Sequence, residues 1–137
     1  MKKFEDNRGV IIDFENGVQH IHSVAGAVRA NHYHKTSGHD CYLTKGALNY
    51  YERPVGENSP PLKLHLIAPV LFSTGPMVEH SMQFTEDSTF ICVRTGGSYT
   101  PEEYEADIVR FDHKLEEENW VYTIQYIPIT KNHPTNV

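Results

Sequence analysis

Turn-forming residues recur about every 8 to 12 residues along most of the chain, and this spacing narrows the fold sharply. Asn7-Arg8-Gly9, Glu15-Asn16-Gly17, Gly26, Ser37-Gly38, Lys45-Gly46, the run from Pro54 to Pro61, Thr74-Gly75-Pro76 and Gly96-Gly97-Ser98 cut it into short pieces. The pieces are rich in Val, Ile, Tyr and Phe: Val10–Phe14, Val18–Val24, Cys41–Thr44, Leu48–Arg53, Leu62–Ala68, Val78–Phe84, Thr89–Val93 and Trp120–Ile129. Short β-prone segments between regular turns predict an all-β sandwich or barrel. Trp120, Tyr122, Ile124 and Tyr126 share one parity, as a strand with two distinct faces requires. One helix is expected. Thr100-Pro101-Glu102-Glu103 places a hydroxyl at the N-cap, Pro at N1 and Glu at N3, a capping box that starts a short helix over Pro101–Asp107. The acidic run Glu116–Glu118 reads as a solvated face.

The chain has 137 residues, a length suited to a single domain over 1–137, and 39% are hydrophobic, enough for an apolar interior. The formal net charge is −6 and Lys and Arg form no cluster, which argues against nucleic acid as a partner. The longest apolar stretch, Leu62 to Phe72, is broken by Lys63, His65 and Pro69, so no membrane span is expected. The first residues carry no apolar leader, which suggests a cytoplasmic protein. Cys41 and Cys92 lie far apart and read as two buried, reduced thiols.

Histidine is the unusual component. There are 9, and those from His20 to His80 are the dense set. His32 and His34, two apart on a strand, point to one face. After the turn at Ser37-Gly38, His39 can return to the same place, with Asp40 as its substitute if the register shifts by one. His80 offers another imidazole from a later strand. Imidazoles converging from neighbouring strands suit one divalent transition metal, with Zn, Ni, Fe and Mn all compatible. His32, His34, His39 and His80 are therefore the candidate metal ligands. His65, the pair His20 and His22, His113 and His133 are read as surface or strand-face groups. Tyr42, Tyr50 and Tyr51 are read as strand packing, and Glu79 points away from His80 by parity.

The spacing around these histidines resembles the first motif of the cupin superfamily. Gly26, five residues, His32-x-His34, four residues, His39, six residues and Gly46 reproduce it, with His39 where that motif carries Glu. The second cupin motif is matched more loosely by Gly75, Pro76 and His80, with Phe84 where Asn is usual. The resemblance spans about residues 8–113 and implies a small antiparallel jelly-roll barrel whose mouth holds metal or substrate. Arg29-Ala30-Asn31-His32-Tyr33-His34 further resembles a segment of deoxysugar-nucleotide isomerases and epimerases built on this barrel. Asn7-Arg8-Gly9, Phe90-Ile91-Cys92-Val93 and Tyr99, Tyr104, Asp107 and Arg110 resemble other segments of them.

That resemblance implies His32 or His34 as the proton-transfer base and Arg29 as anchor for an anionic part of the substrate. Arg29 and His32 differ by three, so on a regular strand they would face opposite sides; Arg29 reaches the pocket only if a bulge falls between them. The function expected is a metal-binding isomerase or epimerase acting on a small polar substrate such as a nucleotide sugar of polysaccharide synthesis. The alternatives are an Fe(II)-dependent oxygenase and a non-catalytic binding module. A homodimer is expected by fold analogy, with Val10–Phe14 and Trp120–Ile129 as the candidate contacts.

Overall fold

The anticipated turns separate strands that stack into two layers. A computed structural model describes residues 1–97, 100–119 and the backbone of 123–125. One layer is a six-stranded sheet built from β1 (Lys2–Asp6), β2 (Gly9–Asp13), β3 (Val18–Ser23), β10 (Ser88–Thr95), β5 (Gly38–Lys45) and β8 (Val70–Thr74), in that spatial order. The other is also six-stranded: β11 (Ile108–Arg110), β4 (Val28–His34), β9 (Val78–Phe84), β6 (Ala47–Pro54), β7 (Leu62–Ile67) and β12 (Thr123–Gln125). Neighbours pair antiparallel throughout, except that β12 runs parallel to β7. The result is the all-β, two-sheet sandwich the turn spacing called for, with one short helix.

Alternation decides which side chains fill the space between the sheets. Along β8, Val70, Phe72 and Thr74 are buried while Leu71 and Ser73 are exposed. Along β5, His39, Cys41 and Leu43 are buried while Asp40, Tyr42 and Thr44 are exposed. The apolar core formed this way includes Leu43, Leu48, Leu66, Phe72, Phe84 and Phe90. Phe84 lies against Phe90 with ring centroids 5.6 Å apart, so the position where the cupin pattern has Asn is spent on packing. Gly46 closes the β5–β6 turn at φ 95°, and a Cβ there would collide with Ser88 and the Asp87 carbonyl.

The helix α1 (Pro101–Asp107) begins where the capping box placed it, with Thr100 Oγ1 accepting a hydrogen bond from the Glu103 amide. Three strands were not in the sequence reading. β1 is exposed at every position and shows no hydrophobic period. β8 was hidden because the apolar run that holds it reads as one piece, whereas the chain leaves β7 at Ile67 and joins the other sheet at Val70. β11 has only three residues.

Two expectations need correction. The acidic run is not simply solvated: Leu115–Glu117 forms a 3-10 turn, Glu116 accepts hydrogen bonds from Asn31 and Ser81, and Glu118 pairs with Arg53. Val10–Phe14 offers no free edge, since β2 is flanked by β1 and β3. Tyr99 and most of Trp120–Ile129 lie outside the described residues. Among the described residues, no helix is long and apolar enough to cross a membrane.

Candidate functional site

A single irregularity in β4 builds the site. Arg29 pairs with Met82 and Ala30 with Ser81, but the next partner of β9, His80, faces His32. Asn31 is therefore an extra residue, and both Ala30 (φ 75°) and Asn31 (φ 58°) are left-handed. The bulge removes the parity conflict: Arg29 and His32 now line the same cleft, of about 310 Å³. Asn31 turns outward, its Nδ2 donating to Glu116 Oε1 at 2.9 Å and its Oδ1 accepting from the Leu115 amide at 3.1 Å. Ser81 Oγ donates to the same Glu116 oxygen at 2.7 Å. Strain in two left-handed residues, about 1–2 kcal/mol each, is offset by this anchored network.

Above the bulge the imidazoles gather. His32, His34 and His80 each bring a ring nitrogen within 4.8 Å of the other two. His34 and His80 are fully buried and stack with centroids 5.2 Å apart; His32 packs edge-on against both. His39 joins from the opposite sheet, its Nε2 3.4 Å from His80 Nε2. Asp40, the possible substitute, points outward and accepts a hydrogen bond from Ser73. His65 instead meets Asn49 at 2.8 Å, and His22 meets Thr89 at 3.3 Å, while His20 is exposed.

The donor set suits a cation of the imidazole-binding class. Burial holds His34 and His80 down at about 4, and burial together with the neighbouring rings holds His32 and His39 well below the usual value. Neutral rings at physiological pH keep lone pairs free. His80 Nδ1 donates to the Val78 carbonyl at 3.0 Å, which fixes the tautomer with the Nε2 lone pair toward the cluster. His34 Nδ1 is buried with no hydrogen-bond partner among the described residues, a vacancy in its bonding that a metal would satisfy.

Several site residues escaped the sequence reading. Tyr104, from α1, places its hydroxyl 3.5 Å from His34 Nε2. Burial raises its phenol above the ordinary value, so it stays protonated. The Arg94 guanidinium lies 3.7 Å from the centre of the Tyr104 ring and forms a buried ion pair with Asp13 at 2.8 Å. Tyr104 carried one signal, its place in the isomerase-like Tyr…Asp-x-x-Arg segment; Arg94 and Asp13 carried none. Arg29 is buried, donating to Ser23 Oγ at 2.6 Å and the His22 carbonyl at 3.3 Å. No carboxylate pairs with it among the described residues, and burial with nearby Arg8 lowers it to about 10. The two cysteines prove to be neighbours: Cys41 on β5 stands opposite Cys92 on β10, and its Sγ is 3.2 Å from His39 Nδ1. Burial, then Cys92, pushes the Cys41 thiol up. Tyr50 and Tyr51 are packing residues that hydrogen-bond to Thr74 and Gln83.

Solved structures share this architecture. The capsular polysaccharide assembling protein CapF from Staphylococcus aureus matches with a TM-score of 0.69 at 16% identity over 82% of this chain. The chain spans only 32% of that protein's length. The Drosophila melanogaster CENP-C cupin domain matches with a TM-score of 0.58 at 13% identity, covering 69% of this chain and 70% of that one. QdtA, a sugar 3,4-ketoisomerase from Thermoanaerobacterium thermosaccharolyticum in complex with TDP, matches with a TM-score of 0.56 at 20% identity, covering 80% and 83%. No protein-family model matches the chain, and a search of curated proteins finds no relative. The fold is that of cupin domains.

Proposed function

We propose that this cupin-fold chain is a metal-binding isomerase or epimerase acting on a sugar or nucleotide sugar of polysaccharide synthesis. The observation that carries the reading is one cleft that joins a cluster of neutral, buried imidazoles to a buried arginine with no carboxylate partner among the described residues. The imidazoles suit a metal, and the arginine suits an anion. The likeness to CapF and to a sugar ketoisomerase in complex with TDP supports the choice of substrate class.

His32, His34 and His80 would hold one divalent ion, Zn, Ni, Fe or Mn, with His39 beside them. Such an ion supplies Lewis-acid polarisation of a substrate carbonyl. Arg29, with Arg8 at the same wall, holds a phosphate or diphosphate by charge-assisted hydrogen bonds and sets the sugar's direction. Tyr104, kept protonated by burial, is placed to give a proton to a developing alkoxide or enolate oxygen. An imidazole bound to the ion cannot also serve as base; in the metal-free form His32, the least buried of the triad, is free to take the proton from carbon.

The test combines elemental analysis of anaerobically purified protein with solvent-deuterium exchange into a TDP-linked keto sugar. Near-stoichiometric metal and exchange at the carbon beside the carbonyl are expected, with exchange falling on the order of a hundredfold or more in His32→Ala/His34→Ala. Arg29→Ala should raise KM for the TDP-linked substrate more than it lowers kcat. Absence of both TDP binding and exchange would overturn the reading, and iron-dependent consumption of O₂ would replace it with the oxygenase.

A further inference from the structure

The triad belongs to β4 and β9 of one sheet. The facing sheet carries a second group of donors, two of which, Cys41 and Cys92, the proposed reaction does not use. His39 and Cys41 are two apart on β5 and share its inner face, and Cys92 on β10 is the direct cross-strand partner of Cys41. All three are buried, at 3%, 1% and 7% exposure. One nitrogen of His39 and the two Sγ atoms lie within 4.8 Å of one another. Metal–sulfur and metal–nitrogen bonds of about 2.3 and 2.0 Å at tetrahedral angles put donor atoms about 3.5–3.8 Å apart. Closing the group around an ion therefore needs movements of about 1 Å at most. His39 and Cys92 line the cleft, which provides an entry path.

We propose that His39, Cys41 and Cys92 form a second metal site, thiolate-rich and suited to soft ions such as Zn²⁺ or Cu⁺. Its donors come from β5 and β10, so the site stands apart from the triad even though it borders it. The orientation of His39 carries the assignment. Nδ1 meets the Cys41 sulfur at 3.2 Å, and Nε2 faces His80 at 3.4 Å. The ring thus belongs to the thiolate group through Nδ1 and touches the triad only through its other nitrogen. On binding Zn²⁺ the two thiols lose their protons to solvent and each sulfur donates an electron pair to the ion; no sulfur is oxidised.

Cobalt loading of the chelator-stripped protein under argon tests the site, with metal counted by mass spectrometry and thiolate-to-cobalt charge transfer read in the near-ultraviolet. The charge-transfer band is expected in the parent and in His32→Ala/His34→Ala, and its loss is expected in Cys92→Ser. Zinc alone should slow reaction of both thiols with a disulfide reagent at least tenfold, a readout that requires no variant. The proposal is overturned by any of three results: a parent without the band at saturating cobalt and unprotected by zinc; a folded Cys92→Ser that keeps the band; or a Cys41–Cys92 disulfide in protein purified without oxygen. Failure of the triad would show differently, as an unchanged metal count in His32→Ala/His34→Ala.

Discussion

At the scale of single residues, Asn31 decides which side chains of β4 reach the cleft. As the extra residue in β4 it brings Arg29 and His32 to one side, and Asn is among the few side chains that tolerate its left-handed backbone. Its conformation is held from outside by Glu116, which also ties Ser81 of β9. Glu116→Ala is expected to cost about 1–3 kcal/mol, by leaving the partly buried Asn31 and Ser81 groups without their acceptor. Metal affinity should fall in parallel. Urea unfolding and metal titration on the same sample check both, and a variant with native stability and affinity would show that the bulge holds itself. The sequence announced the histidines through their spacing but said nothing of this anchor. Glu116 sits in an acidic run that looks solvated, and its partners are 85 and 35 residues away. Cys92 was silent for the same reason: only strand pairing reveals that it opposes Cys41. The His39-x-Cys41 spacing was the one local sign that both residues share a face.

At the scale of elements, most strands and the helix start were legible because alternation, turn residues and a capping box are local signals, whereas β1, β8 and β11 carried no such signal. What remained hidden was where each element docks. Helix α1 has no fully buried residue, and only Pro101, Tyr104 and Asp107 are half-buried, so apolar packing alone does little to fix its position. Asp107, its last residue, does so with polar bonds: its carboxylate accepts from the amides and hydroxyls of both Thr36 and Ser37, at 2.6–3.0 Å. Those residues form the turn between β4 and β5, which carry His34 and His39. Asp107 thereby sets the reach of Tyr104 toward His34. Asp107→Ala should destabilise by about 2–3 kcal/mol, since ionised acceptors make the stronger hydrogen bonds. It should also lower kcat for the proposed reaction more than it changes metal content. Loss of metal and activity in equal proportion would mean that the turn, not Tyr104, is what Asp107 holds.

At the scale of the whole molecule, two sheets face each other across an interior that is apolar at its centre and rich in imidazole at the cleft. An interior of this kind ties stability to pH. Burial holds His34 and His80 at about 4 in the folded chain against an ordinary value of 6.5, so between these limits the unfolded chain binds more protons than the folded one. Their contribution is therefore complete above pH 6.5 and is lost as pH falls toward about 4, by about 3 kcal/mol for each ring. His32 and His39 shift in the same direction. Metal-free protein should consequently lose urea resistance steeply across this window. A bound ion opposes the loss, because it binds only the folded arrangement and requires the same neutral rings. At a free concentration of about 100 Kd it adds about 2.7 kcal/mol near neutrality. That increment should shrink as protons compete for the nitrogens. The folded rings take up protons only near about 4, so urea midpoints of chelated and loaded protein should stay apart from neutrality down toward that value and converge as pH falls through it. Midpoints that stay apart well below about 4 would mean that the ion is held by groups other than these histidines, and a flat curve for the chelated protein would mean that the rings are not buried in their neutral form.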